Sequence, residues 1–453
     1  MQRLNVNSGI KCLRMNCKII LLFLLLPLFC VSQTDSTQEQ RWNFHFQQTV
    51  VMQGKPAISA KYSGPNSLLT SREMETSLTS TLFIGLRLWK NAAFYFNPEL
   101  AGGAGISKAL GMGGFANGET FRVGDPKPVA YIARGYVRQL FKLGNETEMS
   151  TDGLNQLQIR EPQSYVSIVV GKFGIADFFD INKYSHDPRR QFLNWALMNN
   201  GAWDYPANTR GYTWGGILEL AKPSWTLRAS VALVPETANG PYMDLDITNA
   251  HSLTIELEKK YTLHSHPGTI RVLAFSTNAH MGNYQAAIDI SAPLRGSTPD
   301  ITATRTSGNT KYGFGINGDQ DLTDDLGLFF RLGWNDGTNE TWAYTEIDQT
   351  ASVGLVLKGT AWKRSKDLIG IAVVANGISA DHRAYLKAGG SGFMLGDGGL
   401  DYANELISEV YYNISFEKYH FWLAPDHQFV LNPGYNSARG PVNIFAGRVH
   451  IEF

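Results

Sequence analysis

Charged side chains recur at every second position within otherwise apolar stretches of this sequence. Arg87 alternates with the leucine and isoleucine residues of 82–88, and Arg331 alternates with the leucine, phenylalanine and tryptophan residues of 328–334. A period of two places successive side chains on opposite faces of a β-strand. An arginine that faced lipid at the middle of a bilayer would cost about 2–4 kcal/mol in a barrel. The charged face is therefore predicted to point into an aqueous lumen.

The predicted inward-facing set carries both signs of charge. Its strand members are Arg87, Glu99, Arg134, Tyr136, Arg138, Arg228, Glu256, Glu258, Arg271, Arg331, Glu409, Asp426 and Arg448. Opposed arginines and carboxylates across a pore create a transverse field that orients water and dipolar solutes, and their mixed sign gives no simple preference for anions or cations. The alternative is that these charges only neutralise each other within the wall.

Strand-like segments that carry this alternation cover most of the chain, and clusters of Gly, Pro, Asn and Asp separate them. We count sixteen, an even number as in closed bacterial barrels. They lie near 42–52, 77–89, 93–102, 129–141, 164–173, 211–220, 224–234, 251–261, 268–278, 311–319, 325–335, 348–358, 367–376, 405–416, 419–430 and 441–453. The predicted fold is all-β, a transmembrane antiparallel β-barrel of about 16 strands.

The connections between these segments alternate in length. Those at 90–92, 221–223 and 417–418 are short, whereas those at 53–76, 103–128, 174–210, 279–310 and 377–404 are long. Short periplasmic turns and long external loops predict that alternation. The connection 142–163 breaks it, because it is long on the predicted periplasmic side, and we expect an extra turn or helix there.

The final segment ends in an aromatic residue. Phe445, Gly447, Val449, Ile451 and Phe453 share one face, and the residues between 448 and 452 on the other face are charged or polar. A strand of a soluble β-sandwich could alternate in the same way. An aromatic last residue in an exported chain is typical of outer-membrane barrels, so we interpret Phe453 as the signal for barrel assembly.

The N-terminus predicts export to the cell outer membrane. A basic segment precedes an apolar block at 19–29 that is too short to span a bilayer, so we interpret 1–32 as a cleaved signal peptide and 33–453 as the barrel. A lipoprotein is disfavoured because Leu28 and Phe29 precede Cys30. Met1 and Met15 are both candidate starts. All three cysteines lie within 1–32, which excludes disulfides and thiolate sites from the rest of the chain.

Charge and motifs argue against several other classes. Residues 1–32 hold four basic and no acidic groups, so 33–453 carries 36 Lys and Arg against 40 Asp and Glu, and a nucleic-acid partner is not expected. His264-Ser265-His266 is interpreted as a solvated turn rather than a metal site. The glycine cluster at 102–118 lacks a Lys-Ser/Thr ending and is interpreted as a flexible external loop. No spacing predicts a catalytic triad, and we expect no enzyme activity, metal or cofactor.

Several long blocks resemble the carbohydrate-selective porin family of Gram-negative outer membranes. They are YSGPNSL at 62–68, LFIGLRLWKNAAFYFNPE at 82–99, YIARGYVRQLF at 131–141, GKFGIADFFDINKYSHDPRRQFLNWALMNNGAWDYPANTRGYTWG at 171–215, GFGINGDQDLTDDLGLFFRLGWNDG at 313–337, GDGGLDYANE at 396–405 and NPGYNSARGPVNIFAGRVHIEF at 432–453. The resemblance implies a sixteen-stranded monomeric barrel for passive diffusion of sugars, with a pore narrowed by external loops that fold partly into the lumen.

The connection 174–210 has a composition that suits sugar recognition at a constriction. Its candidate residues are Asp177, Asp180, Arg189, Trp195, Trp203, Asp204, Tyr205 and Arg210. Sugar C–H faces stack on aromatic rings, and sugar hydroxyls accept from Arg and donate to Asp at little net gain over water. Weak repeated contacts suit a channel that must release its solute. The alternative is a loop packed on the barrel rim around its tryptophans.

Three functions remain open at this point. The first is a sugar porin. The second is an anion-preferring or general diffusion porin, indicated by the inward arginines. The third is a plugged barrel that acts as a surface scaffold or receptor, indicated by the long loops. The expected partners are outer-membrane lipid and lipopolysaccharide, small sugars, and the barrel-assembly machinery.

Overall fold

The computed structural model describes residues 39–119, 127–293, 296–344 and 346–453, and the predicted signal peptide at 1–32 lies outside these residues. The described residues form eighteen β-strands. These are β1 (Trp42–Lys55), β2 (Glu73–Trp89), β3 (Ala92–Gly103), β4 (Val129–Lys142), β5 (Thr147–Met149), β6 (Arg160–Pro162), β7 (Tyr165–Phe173), β8 (Thr213–Lys222), β9 (Trp225–Leu233), β10 (His251–Leu263), β11 (His266–Ala279), β12 (Asn309–Asp321), β13 (Leu326–Asn335), β14 (Gln349–Gly359), β15 (Arg364–Gly377), β16 (Glu405–Phe416), β17 (Phe421–Leu431) and β18 (Val442–Glu452).

Sixteen of these strands, all except β5 and β6, form one closed barrel. Each pairs antiparallel with its neighbours along the chain, β4 pairs with β7, and β1 pairs with β18 to close the ring. The predicted antiparallel barrel of about 16 strands is confirmed. Closure leaves no unpaired sheet edge, which a bilayer would penalise because lipid offers no hydrogen bonds.

Strand β10 shows why the sequence forms a barrel wall. Leu253, Ile255 and Leu257 point outward with about half of their side-chain surface exposed, at 48%, 49% and 48%. Glu256 and Glu258 between them point inward and are buried. Strand β10 thus offers apolar side chains to lipid and polar ones to the lumen, as the alternation predicted.

The described connections include three α-helices, α1 (Trp195–Met198), α2 (Tyr284–Ser291) and α3 (Ala380–Lys387). None of these described helices is long and apolar enough to cross a membrane. His264 and Ser265 form the two-residue turn between β10 and β11, with φ of 47° and 68°. Two left-handed residues match the twist of a tight hairpin, so the predicted turn is confirmed.

Two connections differ from simple loops. Residues 143–164, which we call the periplasmic link because short turns lie on the same side of the barrel, contain the hairpin of β5 and β6. A β-hairpin, and not the extra turn or helix expected, thus accounts for the length of this connection. The glycine-rich segment is also different from the flexible external loop expected, because Gly111–Gly118 is mostly buried and the amides of Gly113 and Gly114 donate to Glu405 at 3.1 and 2.7 Å.

The hydrophobic core lies inside the barrel, between its wall and the segments that enter it. Residues 174–212 between β7 and β8, which we call the inserted loop, contribute Phe179, Phe192 and Leu197, each with no exposed surface. Two wall glycines make room for this loop. A Cβ on Gly315 or Gly333 would lie 2.0 Å from the Asn200 amide group. The Asn200 side chain of the inserted loop therefore lies directly on the backbone of the wall at these two glycines.

Candidate functional site

The inserted loop crosses the full depth of the lumen. It leaves β7 at the external end and descends until the Tyr184 hydroxyl donates to Asp321, at the periplasmic end of β12. It then crosses the barrel, where the Arg190 guanidinium lies 3.7 Å from the centre of the Trp422 ring near the periplasmic end of β17. It returns to β8 past the same wall that the descending limb follows, where the Asn335 side chain of β13 donates to the Ala202 carbonyl at 3.0 Å. The loop thus divides the lumen instead of capping the rim.

Arg331 fastens both limbs of the inserted loop to β13. Its side chain is 1% exposed, and its Nε lies 3.1 and 3.0 Å from the two carboxylate oxygens of Asp180. The same guanidinium donates to the carbonyl oxygens of Ser185 at 2.6 Å and Leu197 at 2.8 Å. A buried charge is tolerated when its partners satisfy it in this way. Arg331 and Asp180 therefore lie between the wall and the loop, away from open space.

A second anchor holds the tip of the loop to β16 and β18. Glu409 accepts from the backbone amides of Leu193 at 2.5 Å and Asn194 at 2.9 Å. Arg448 donates to the carbonyl oxygen of Gln191 at 2.8 Å and to that of Pro188. Both wall side chains are fully buried or nearly so, at 0% and 1% exposure. Backbone groups of the loop tip thus find charged partners on the neighbouring wall strands β16 and β18.

The ascending limb is held by Asp204 and by packed aromatic rings. Asp204 accepts from the amides of Trp342 at 2.6 Å and Ala343 at 2.8 Å, and burial raises the pKa of its carboxyl group. The Tyr344 ring centre lies 5.0 Å from that of Trp195 and 5.1 Å from that of Tyr205. Trp203 packs beneath Tyr205 with ring centres 5.2 Å apart. Such pairs are typical of ring packing in protein cores.

Open space remains on the other side of the inserted loop. A cavity of about 610 Å³ lies between the loop and the inner faces of β1, β2, β4, β7, β8 and β9. Of the residues predicted to line a pore, those bordering this cavity are Arg134, Tyr136, Arg138, Asp177, Arg189, Trp195, Tyr205, Arg210 and Arg228. Those outside its lining are Arg87, Glu99, Asp180, Trp203, Asp204, Glu256, Glu258, Arg271, Arg331, Glu409, Asp426 and Arg448.

The residues outside the cavity lining have defined partners elsewhere. Arg87 lies at the periplasmic rim in an ion pair with Glu39. Arg271 bridges neighbouring wall strands through Glu258 at 3.0 Å and Asp319 at 2.8 Å. Asp180, Trp203 and Asp204 belong to the inserted loop itself and are buried. The remaining residues of this group are buried wall residues whose inward direction follows the alternation.

Arginines on the cavity wall are paired with carboxylates. Arg134 makes two hydrogen bonds of 2.6 Å to Asp177, in a bidentate arrangement. Arg228 lies 2.5 Å from Glu219, and it also contacts Glu256 at 3.1 Å and Glu258 at 3.2 Å. Bidentate and networked pairs hold each guanidinium group in one position, and the carboxylates offset its positive charge. The wall therefore presents alternating signs and not a continuous positive surface.

Several cavity residues were not predicted from the sequence. Tyr165 and Glu219 follow the inward alternation of β7 and β8, so period two could have identified them. Tyr212 and Glu119 lie in loops without a periodic signal. Glu119 lies 3.1 Å from Arg189 and accepts from Thr79, and burial, which outweighs the nearby Arg189, raises its pKa to about 7.

The described residues contain no group of three or more His, Asp, Glu or Cys side chains that could hold a metal ion. The groups that surround this water-accessible space are hydroxyl, guanidinium and carboxylate groups, so the site can form hydrogen bonds with a polar solute. Such groups exchange hydrogen bonds with a polar solute and with water at similar free energy.

The fold resembles that of solved outer-membrane channels. The high-pH structure of Pseudomonas putida OprB is 16% identical, with a TM-score of 0.68 over 91% of this chain and 94% of that chain. The low-pH structure of the same protein is 12% identical, with a TM-score of 0.49 over 91% and 92%. Acinetobacter baumannii DcaP is 10% identical, with a TM-score of 0.47 over 91% and 97%. The similarity to the high-pH structure, at 16% identity, shows that the two chains share a fold.

No curated protein matches this sequence. The model of the carbohydrate-selective porin, OprB family matches residues 66–453, which is most of the chain and includes fifteen of the sixteen barrel strands. The resemblance of the quoted sequence blocks is thereby confirmed. The chain belongs to the carbohydrate-selective porin, OprB family.

Proposed function

We propose that carbohydrates and similar small hydrophilic solutes cross the outer membrane passively through the space between the inserted loop and strands β1, β2, β4, β7, β8 and β9. The observation that carries this proposal is the cavity of about 610 Å³ within a closed barrel. Membership of a carbohydrate-selective porin family supports the solute class. The volume lies within the range of about 300–1,000 Å³ typical of small-molecule sites.

The cavity lining supports weak binding of sugars. Tyr136, Tyr205 and Tyr212 offer ring surfaces on which sugar C–H groups can stack. Neighbouring paired charges such as Arg134 and Asp177 offer donors and acceptors for hydroxyl groups. A hydroxyl that exchanges water for these groups gains little net free energy, so a solute is released as readily as it enters.

The two alternative functions are not favoured. Most arginines at the cavity are compensated by carboxylates, as the Arg134–Asp177 and Arg228–Glu219 pairs show, which argues against a strong anion preference. The inserted loop fills part of the lumen, but the cavity beside it argues against a sealed barrel.

Liposome swelling with sugars of increasing size tests the proposal. Folded protein should admit a monosaccharide faster than a disaccharide, and bilayers in a salt gradient should give a reversal potential near zero. Folded protein that conducts ions and admits no sugar would contradict the assigned solute class. A large reversal potential of the sign that indicates anion selectivity would favour the alternative that the protein is an anion channel.

Processing and assembly complete this proposal. Cleavage near residue 32 releases the barrel at 33–453, the assembly machinery recognises the last strand through Phe453, and the barrel functions as a monomer among outer-membrane lipid and lipopolysaccharide. The family resemblance and the sequence pattern support each step. N-terminal sequencing, removal of Phe453 and native mass measurement in detergent test the three in turn.

A further inference from the structure

The periplasmic link folds into a compact unit. Strands β5 and β6 pair at its base, and the Ser150 amide donates to the Ile159 carbonyl at 2.9 Å. The tip, residues 150–159, turns between Gly153 and Gln156, whose backbone groups exchange two hydrogen bonds of 3.1 Å. Asn155 adopts the left-handed conformation that this turn requires, with φ of 53°. The link therefore has a defined shape and a defined tip.

Side chains from the inner wall hold this tip inside the barrel. The Asn43 amide donates to the Asp152 carboxylate at 2.7 Å and to the Gln156 carbonyl at 2.8 Å. The Asn97 amide donates to the Asn155 side chain at 2.9 Å. The three acceptors on the tip are thus matched by donors on wall strands β1 and β3, far from the link in sequence.

Apolar packing strengthens the same attachment. Leu157 has no exposed surface and lies over Gly85 of β2, where an added Cβ would be 3.2 Å from the Leu157 side chain and 2.3 Å from Asn43. Glu161 of β6 lies 3.2 Å from Arg138 of β4. The link is attached to all of the first four strands, so it closes part of the periplasmic mouth.

The tip borders the same cavity that the inserted loop borders. Leu154 and Asn155 line it together with Tyr165 and Arg138 of the wall and Arg189 of the inserted loop. A solute that passes through this space therefore contacts two folded segments. The first enters from the external side of the barrel and the second from the periplasmic side.

We infer that the periplasmic link is a second constriction, at the exit of the channel, and that Leu154 and Asn155 are specificity-determining residues for solute size. The inference rests on the proposed function, because it concerns the same solutes and the same cavity. The wall contacts hold the tip in place, so the exit width is a property of the folded chain. Enlarging the side chain at 154 narrows the exit, and shortening it widens the exit.

Cysteine modification provides a direct test, because the three cysteines of the sequence lie at 12, 17 and 30. Leu154→Cys protein in a planar bilayer is treated with a bulky cationic methanethiosulfonate reagent. We expect the single-channel current to fall roughly twofold or more. The narrowest part of a pore sets most of its resistance, so a bulky group added there lowers the current strongly. Swelling with a disaccharide should slow more than swelling with a monosaccharide.

Glu148→Cys is the matched control, because Glu148 is exposed on β5 of the same link and is absent from the cavity lining. Its modification should leave the current unchanged, and the unsubstituted protein reports any effect on the native thiols. Leu154→Gly is a second variant that should raise the current and admit larger sugars.

Complete labelling of Leu154→Cys, verified by mass, without a change in current would overturn the inference. Equal losses at positions 148 and 154 would overturn it as well. If Leu154→Cys fails to fold, an unchanged size limit in Leu154→Gly would refute it instead. An unsubstituted protein that admits no sugar would contradict the proposed function itself, which separates the two failures.

Discussion

Replacing Arg331 with Met should release the inserted loop without unfolding the barrel. The substitution removes the guanidinium that binds Asp180 and the carbonyl oxygens of Ser185 and Leu197. It also leaves the Asp180 carboxylate buried without this partner. Removing one member of a buried ion pair costs about 3–5 kcal/mol. Methionine restores much of the volume, so the loss concerns polar contacts more than packing.

That cost falls on the docked state of the loop, because the barrel strands pair through their own backbones. Since each 1.4 kcal/mol is tenfold in an equilibrium constant, about 3 kcal/mol raises the ratio of undocked to docked loop by roughly two orders of magnitude. Single-channel recordings should therefore show added open-state noise or new sublevels of higher conductance. Limited proteolysis should cut the variant within 174–212 while the native loop resists.

Arg271→Met is the matched control. Arg271 is also a buried inward arginine, but its partners are Glu258 and Asp319 of the neighbouring wall strands. It should lower barrel stability without loop-dependent noise. If Arg331→Met gives recordings and cleavage indistinguishable from the native protein, or if Arg271→Met gives the same noise, the reasoning that Arg331 docks the loop is wrong.

Three other predictions concern the inserted loop and the cavity beside it. Deletion of 183–200 should leave a heat-modifiable barrel, since no wall strand is removed, and should raise conductance and weaken discrimination among sugars; unchanged conductance would place the loop outside the solute path. Tyr205→Ala should reduce block of the ion current by sugar because a cavity ring is lost, whereas Trp203→Ala, 2% exposed and outside the lining, should chiefly increase loop mobility, as proteolysis can verify. Burial raises the pKa of the Glu119 carboxyl group from 4.5 to about 7, so the folded protein loses stability as pH rises from 4.5 toward 7, and the group adds a negative charge to the cavity as pH passes through about 7. Cation preference in reversal potentials should therefore increase from pH 6 to 8, and Glu119→Gln should abolish that step; a step that persists would exclude Glu119.

Local properties of the sequence were enough to predict the wall. Strand β10 was expected at 251–261 and spans His251–Leu263, and strand β16 was expected and found at 405–416. Alternation of side-chain direction is a property of each strand alone, because lipid lies on one side of the wall and the lumen on the other. Turn residues between strands are equally local. The count of sixteen barrel strands needed no knowledge of strand partners.

The occupants of the lumen depended on contacts distant in sequence. Arg228 and Arg331 alternate in the same way within their strands, yet Arg228 borders the cavity and Arg331 lies beneath the inserted loop. The contact that decides this joins Asp180 to Arg331 across 151 positions. The alternation of side chains along a strand shows only that a given side chain points inward. It does not show which segment of the chain that side chain contacts.

The sequence by itself thus determined the barrel, the direction of its charged side chains and, through family resemblance, the class of solute. Tertiary structure alone decided which of those side chains face open space, and it placed Glu119 and the tip of the periplasmic link at the cavity. The physical reason is that a strand buries its faces against lipid and lumen independently of its neighbours. A loop that enters the lumen is positioned by hydrogen bonds to wall residues such as Asn43, 109 positions from Asp152, which no local pattern encodes.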